Sequence, residues 1–215
     1  IPGHPGHAAG RGTMSAFLRA IGVKRTTPLV MPASLQSWSQ SGKAQTRASL
    51  ALGRSWTEVY QTFKSTDADG RAFIQWLNQI RRSGETFTIS HYLHLTHTGG
   101  GSGAARVNGA NQTGSTLNVE NWSGTDPVMK AGDLLLIAGL SAVRHLTVDA
   151  PNLAAGACAF TIDPPILAGQ SPSDHAALTY TAVPLTAILV DLQMPSAGPD
   201  EYLMDVQASF REALA

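Results

Sequence analysis

Residues 85–103 read ETFTISHYLHLTHTGGGSG. Up to Thr98 the stretch alternates in the way a half-buried strand does, so period two assigns Phe87, Ile89, His91, Leu93, Leu95 and His97 to one face. Thr88, Ser90, Tyr92, His94 and Thr96 take the other face. The three histidines at spacing three therefore project to opposite sides of a regular strand, which argues against convergence on one metal ion. The run Gly99–Gly101 and the following Ser102 and Gly103 have the composition of a flexible connector, so 99–103 is expected to be a linker. No helix pattern follows these glycines and no lysine occurs between them and Lys130, which separates them from a phosphate-binding loop.

Working backward from this strand, STDADGRAFIQWLNQIRR (65–82) carries apolar residues at helical spacing. Phe73, Ile74, Leu77 and Ile80 form the stripe expected to pack on a sheet, with Trp76 at its margin. Ser65 or Thr66 is the expected N-cap, Asp67 and Asp69 complement the positive end of the helix dipole, Arg81 and Arg82 the negative end, and Gly84 stops the helix. The helix is accordingly expected over 66–82. Before it, TTPLVMPASLQSWSQ, KAQTRASLALGR and SWTEVYQTF read as short strands punctuated by Pro28, Pro32, Gly42 and Gly53, with Ala48, Leu50 and Leu52 sharing one face.

Beyond the glycines the texture changes. Residues 104–172 are rich in Gly, Ala, Asn and Thr, with short strands between regularly spaced turns, as in a small barrel or sandwich. ALTYTAVPLTAILVDL and YLMDVQASF then return to longer strands, the second with Met204, Val206, Ala208 and Phe210 as its apolar face. The pattern predicts a mainly β protein. A split β domain carrying one α-helix occupies 26–98 plus 182–215, and a small β-barrel or sandwich module is inserted at 104–181. Residues 1–25 are expected to form a flexible N-terminal segment, with Met14 a candidate natural start.

Composition narrows the function classes. Fifteen Lys and Arg balance fifteen Asp and Glu, so no net charge draws the chain to nucleic acid or anionic lipid, and self-association meets little repulsion. No apolar run reaches the roughly 18 to 20 residues of a bilayer-spanning helix. A single cysteine, Cys158, excludes an internal disulfide framework, and its strand position with Phe160 and Ile162 reads as core. Serines occur without a nucleophile-elbow pattern, and Asp126, Asp133, Asp149, Asp163 and Asp174 sit near turns without selecting a catalytic pair. His145 and His175 lack a Cys or His companion. No catalytic, metal-binding or cofactor-binding residues are assigned, and a metal-dependent hydrolase serves only as a control. In the inserted module Trp122 and Tyr180 are the candidates for stacking on a sugar.

Several stretches, taken in order, resemble one family. WTEVYQTFKSTDADGRAFIQWLNQIRRSGETFTI (56–89) is similar to the signature region of distal tail proteins and related minor tail proteins of long-tailed bacteriophages. VNGANQTGSTLNVENW (107–122), VMKAGDLLLIAGLSAVRHLTVDA (128–150), ACAFTIDPPIL (157–167) and SPSDHAALTY (171–180) resemble, in sequence order, the second module of many such proteins. DVQASFREAL (205–214) resembles their closing strand. GETFTISHYLHLTH stands where that group has a shorter segment, and PPILAGQ lacks its frequent arginine, departures that bear on subtype rather than class.

The resemblance implies that the split domain is a β-sandwich belt domain, and that the protein is a non-enzymatic virion component, assembled in the host cytoplasm, at the distal end of the tail. It implies a homo-oligomeric ring, commonly hexameric, joining the tail tube protein to the tail-tip hub or baseplate, with no cofactor, no nucleic-acid binding and no membrane span. Phe87, Ile89, Leu93 and Leu95 are the candidate subunit-interface strand. The alternative is a carbohydrate- or host-receptor-binding module displayed at the tail tip, with a receptor-binding protein or a host glycan as partner.

Overall fold

The structure is a computed structural model that describes residues 21–30, 35–38, 44–47, 53–84, 86–151, 156–195 and 201–213. The stretch Ala48 to Leu52, with its expected alternation, lies outside them. In chain order come β1 (Val23–Thr26), β2 (Leu35–Trp38), β3 (Ala44–Arg47), β4 (Ser55–Tyr60), β5 (Phe63–Lys64), α1 (Ala68–Ser83) and β6 (Phe87–Ser90). The middle of the chain supplies β7 (Gly101–Ser102), β8 (Arg106–Val107), β9 (Gly114–Glu120), β10 (Ser123–Gly124), β11 (Leu134–Ile137), β12 (Arg144–Leu146), β13 (Cys158–Ile166) and β14 (Leu178–Thr179). The last part supplies β15 (Pro184–Gln193), β16 (Tyr202–Leu203) and β17 (Gln207–Glu212).

Strands from both ends of the chain build one antiparallel sheet, ordered β1-β4-β17-β15-β6. Alternation decides its buried face. Trp56 and Tyr60, Ala208 and Phe210, Leu185 and Ala187, and Phe87 and Ile89 all enter one core. Helix α1 covers that core with Phe73, Trp76, Leu77 and Ile80. Rings interlock across the contact: Tyr60 and Phe73 have centroids 4.8 Å apart, Trp76 and Phe87 5.6 Å, and Phe87 and Phe210 5.7 Å. Each fully buried large apolar side chain contributes roughly 1.5–3 kcal/mol by leaving water, so this face, rather than helix propensity, holds α1 in place.

Trp76 is 3% exposed while Ile74 is only partly buried, so the margin of the stripe falls at Ile74 and not at Trp76. The N-cap is Asp67, without a side-chain capping bond, rather than Ser65 or Thr66. Ser65 is instead engaged outside the helix, its amide and hydroxyl both donating to the Glu201 carbonyl. Gly84 closes the helix in the left-handed conformation, its N–H donating to Ile80 O at 3.2 Å.

Two other boundaries differ from expectation. Val23–Thr26 pairs with β4 and Ile21 is buried in the sheet core, so residues 21–25 belong to the sheet and not to a tail. Near the C-terminal end, Asp205 takes a positive φ of 55° and interrupts the strand. Met204 is therefore exposed, while Leu203 on β16 joins the core through pairing with β5.

The six strands β14-β11-β12-β13-β9-β8 form a second sheet that curls until its edges meet. Arg106 bridges Ala177, Val107 N–H donates to Ala176 O at 2.9 Å, and Leu178 N–H donates to Ala105 O at 3.0 Å. The result is a small barrel filled by Val107, Leu117, Val119, Leu135, Ile137, Leu146, Phe160 and Ile162, with Cys158 buried among them. Among the described residues the fold is mainly β, with one α-helix and two large curled sheets beside three two-stranded ones. Leu134 and Val143, on the outside of the barrel, enter the core of the five-stranded sheet and join the two bodies through apolar contact.

Candidate assembly surface

The described part of β6 is an outermost strand: it pairs with β15 through Ser90↔Pro184 to Phe87↔Ala187, and its other side lies at the edge of the sheet. It is shorter than its alternation suggests. After Ser90 the chain turns at His91 into a 3-10 turn over Tyr92–His94. The expected strand over Phe87 to Leu95 is thus broken, and Phe87, Ile89, Leu93 and Leu95 do not share one strand. Phe87 and Ile89 are core residues, 8% and 3% exposed, whereas Leu93 is 53% exposed and Leu95 half-buried.

His91 makes the break. Its Nδ1 accepts the Leu93 N–H at 3.3 Å, which leaves the proton on Nε2 to donate to the Thr27 carbonyl at 3.0 Å. Thr27 directly follows β1, the opposite edge of the sheet, so one buried imidazole ties the two edges together at this end. Packing holds the ring in place, with the Trp56 centroid 5.7 Å away in edge geometry. Burial, reinforced by the neighbouring His94, pushes the His91 pKa down to about 4 against the opposing pull of the Thr27 carbonyl. Around this tie lie three exposed large apolar residues: Tyr92 and Leu93 just after His91, and Val30 three residues beyond Thr27. They are 49%, 53% and 54% exposed.

Breaking the strand removes the geometric objection to a metal site, yet the rings still do not converge. His91 and His94 have centroids 5.2 Å apart, but His97 turns away to donate from Nε2 to the Gly101 carbonyl at 2.8 Å. Among the described residues no group of three His, Cys, Asp or Glu side chains is placed to hold a metal ion. His145 faces Asp163 at 3.7 Å, and His175 faces Glu120 at 2.8 Å and Asp174 at 3.4 Å.

The glycine run is not a loose connector. A Cβ on Gly99 would meet Val128 O, one on Gly100 would meet Thr125 Oγ1, and one on Gly101 would meet the Trp122 indole. Gly101 and Ser102 also pair with β10. These residues are glycine because the backbone is packed against its neighbours at van der Waals distance. Asp133, 3% exposed, fixes the preceding residue: Oδ1 accepts Thr98 N–H and Thr98 Oγ1–H at 2.9 Å each, and Oδ2 accepts Lys130 N–H at 2.8 Å. Asp133→Ala leaves three donors without their acceptor and is expected to lower stability by about 2 kcal/mol. Urea melts of the two proteins check this, and coincident curves would remove Asp133 from the junction.

Trp122 and Tyr180, the candidate sugar platforms, face inward. Trp122 is 3% exposed, its ring centroid 4.6 Å from Tyr180 and 5.7 Å from Phe160. Tyr180 is half-buried and donates its hydroxyl to Gly103 O at 2.6 Å. A sugar needs an open ring face, which Trp122 does not offer, so the pair acts as the packed floor of the junction.

Sequence reasoning passed over the polar residues that hold the two bodies together. Arg54, 4% exposed, donates from Nη2 to the Val143 carbonyl on the barrel side at 2.6 Å and lies 3.8 Å from Glu212 Oε2 through Nε. Burial lowers its pKa against the opposing charges of Glu212 and Asp163. Glu58, 2% exposed, sits on β4 between Trp56 and Tyr60 and accepts from Tyr60 Oη at 3.0 Å. The signal was present in the strands themselves: in SWTEVY and QASFRE, Glu58 and Glu212 occupy positions that alternation assigns to the buried face. Of the five turn-proximal aspartates, Asp133, Asp149 and Asp174 accept backbone N–H bonds, a structural rather than a catalytic arrangement.

No helix among the described residues is long and apolar enough to cross a membrane. The sequence matches no protein-family model, and comparison with curated proteins returns no match.

Proposed function

We propose that this chain is a ring-forming structural protein of a long-tailed phage, seated between the distal end of the tail tube and the tail-tip hub. One observation carries the reading. Strands on both sides of a sequence-contiguous barrel complete a single helix-covered sheet, so the barrel is an insertion into a split domain. The ordered series of tail-protein-like stretches over residues 56–89, 107–180 and 205–214 follows the same division. The open side of β6 and the apolar group Val30, Tyr92 and Leu93 support contact with a neighbouring copy, because a heterologous surface repeated by rotation closes a ring. In this reading the protein performs no catalysis, and its partners are other copies, the tube protein and the hub.

Electron microscopy of the purified chain is expected to show closed rings, with six copies by native mass spectrometry. Leu93→Asp is expected to yield folded protein that no longer closes them, since a carboxylate replaces an apolar contact at the rim. A monodisperse monomer at high concentration that binds glycans on an array would sink the proposal in favour of the receptor-binding module. Rings that form equally well with Leu93→Asp would move the interface elsewhere.

A further inference from the structure

Asn108 and Gly109 form the dipeptide most prone to spontaneous succinimide chemistry, because glycine places no side chain beside the attacking amide. Asn108 is exposed and Gly109 has a φ of 93°, a conformation that favours glycine. Yet every backbone polar group of the pair is pinned. Asn108 N–H donates to Asn118 O at 2.9 Å, and Asn108 O accepts Gln112 Nε2 at 2.7 Å. Gly109 O also accepts Gln112 Nε2, at 3.1 Å, and Gly109 N–H donates to Asp174 Oδ1 at 2.8 Å. We infer that Asn108–Gly109 is a latent deamidation site held shut by the Asp174 carboxylate, at the seam where the barrel closes.

The chemistry requires the Gly109 amide to lose its proton and attack Asn108 Cγ. A new N–Cγ bond forms, the Cγ–Nδ2 bond breaks, and Nδ2 leaves as ammonia. Water then opens the five-membered ring, leaving aspartate or isoaspartate. Asp174 opposes the first step twice over: deprotonation surrenders a charge-assisted hydrogen bond, and the amide anion would form beside a carboxylate. The Gln112 and Asn118 bonds oppose the second step by resisting the backbone rotation that brings Cγ to nitrogen.

The position gives the reaction a consequence. Val107, the preceding residue, exchanges backbone bonds with His175 and Ala176, which close the barrel between β8 and β14. Asp174 also accepts the His175 N–H at 3.0 Å and faces its imidazole, which in turn reaches Glu120. Deamidation would set a new carboxylate next to this acidic pair and, as isoaspartate, lengthen the backbone at the closing seam. Asp174 therefore protects barrel closure as well as Asn108. The inference does not depend on the ring proposal.

Peptide mass spectrometry after incubation at mildly alkaline pH, with isoaspartate counted by enzymatic methyl transfer, tests it. Asn108 in the folded protein is expected to deamidate far more slowly than in the free peptide VNGANQT. In Asp174→Ala the rate is expected to rise by about ten- to a hundredfold, the worth of one charged hydrogen bond. Asp174→Asn, which keeps an acceptor but no charge, should fall between, and it decides the matter if the alanine variant fails to fold. Folded wild-type protein that deamidates as fast as the peptide, or a folded Asp174→Asn protein no faster than wild type, would overturn the inference.

Discussion

Glu58→Gln is expected to stabilise the protein at pH 8 by up to about 3 kcal/mol and to leave its stability at pH 4 unchanged. Glu58 stands on β4 with Thr26 opposite on one side and Ala208 on the other, its side chain under the helix-covered core. Burial raises its pKa from the ordinary carboxyl value to about 7. Tyr60 Oη donates to it at 3.0 Å and pulls the other way, and the Trp56 indole adds a smaller pull in the same direction. The sign follows from proton binding. Between the unfolded value near 4.5 and the folded value near 7, the folded chain holds a proton that the unfolded chain has lost, so stability falls as pH rises through that window. Glutamine keeps an acceptor for Tyr60 and carries no charge at any pH. Chemical denaturation of both proteins at pH 4, 6 and 8 checks the expectation, and a constant difference across the series would show that Glu58 does not carry a raised pKa.

The second expectation has the opposite slope. His91 is buried and neutral, with its pKa lowered to about 4 from about 6.5. Between those values the unfolded chain takes up a proton that the folded chain refuses. The stability present above the unfolded pKa is therefore lost as pH falls toward the folded one, by up to about 3 kcal/mol in total. Protonation also gives Nδ1 a hydrogen where it now accepts from Leu93 N–H, and it adds charge beside His94. The 3-10 turn and the tie to Thr27 are expected to open first. His91→Gln retains a donor for the Thr27 carbonyl and does not titrate, so its stability should gain on that of the wild type as pH falls from 7 to 4. Parallel curves for the two proteins would remove His91 from the acid limb. The two windows overlap, so the opposite slopes of Glu58 and His91 offset each other from about pH 4.5 to 6.5, and hydrogen exchange at the amides of residues 91–95 should report the opening of the turn before global unfolding does.

Helix α1 was legible almost to the residue, because a stripe at spacings of three and four, two acids at its start, two arginines at its end and Gly84 are all local signals. Alternation likewise identified the buried faces of β6, β13 and β17, and the same period, which had not been applied to β4, places Glu58 and Glu212 inward even though these residues are acids. Their polarity disguised a pattern that was present. Strands from both ends of the chain share the five-stranded sheet, and strands between them form the six-stranded one. The partners of β6 could not be read from the sequence, because pairing with β15 joins residues about a hundred positions apart.

Read alone, residues 85–103 determined a strand, a run of three histidines and a glycine-rich exit. Tertiary structure decided where each ended. The strand stops at His91 because the imidazole finds the Thr27 carbonyl on the far edge of a curled sheet, a contact that alternation along one segment cannot express. The glycines stay glycines because Val128, Thr125 and Trp122 press on their backbone, and the composition of a flexible linker and of a tightly packed one is the same. Period and propensity are properties of neighbours along the chain. Burial, proton affinity and close packing depend on which distant residues arrive at the same place.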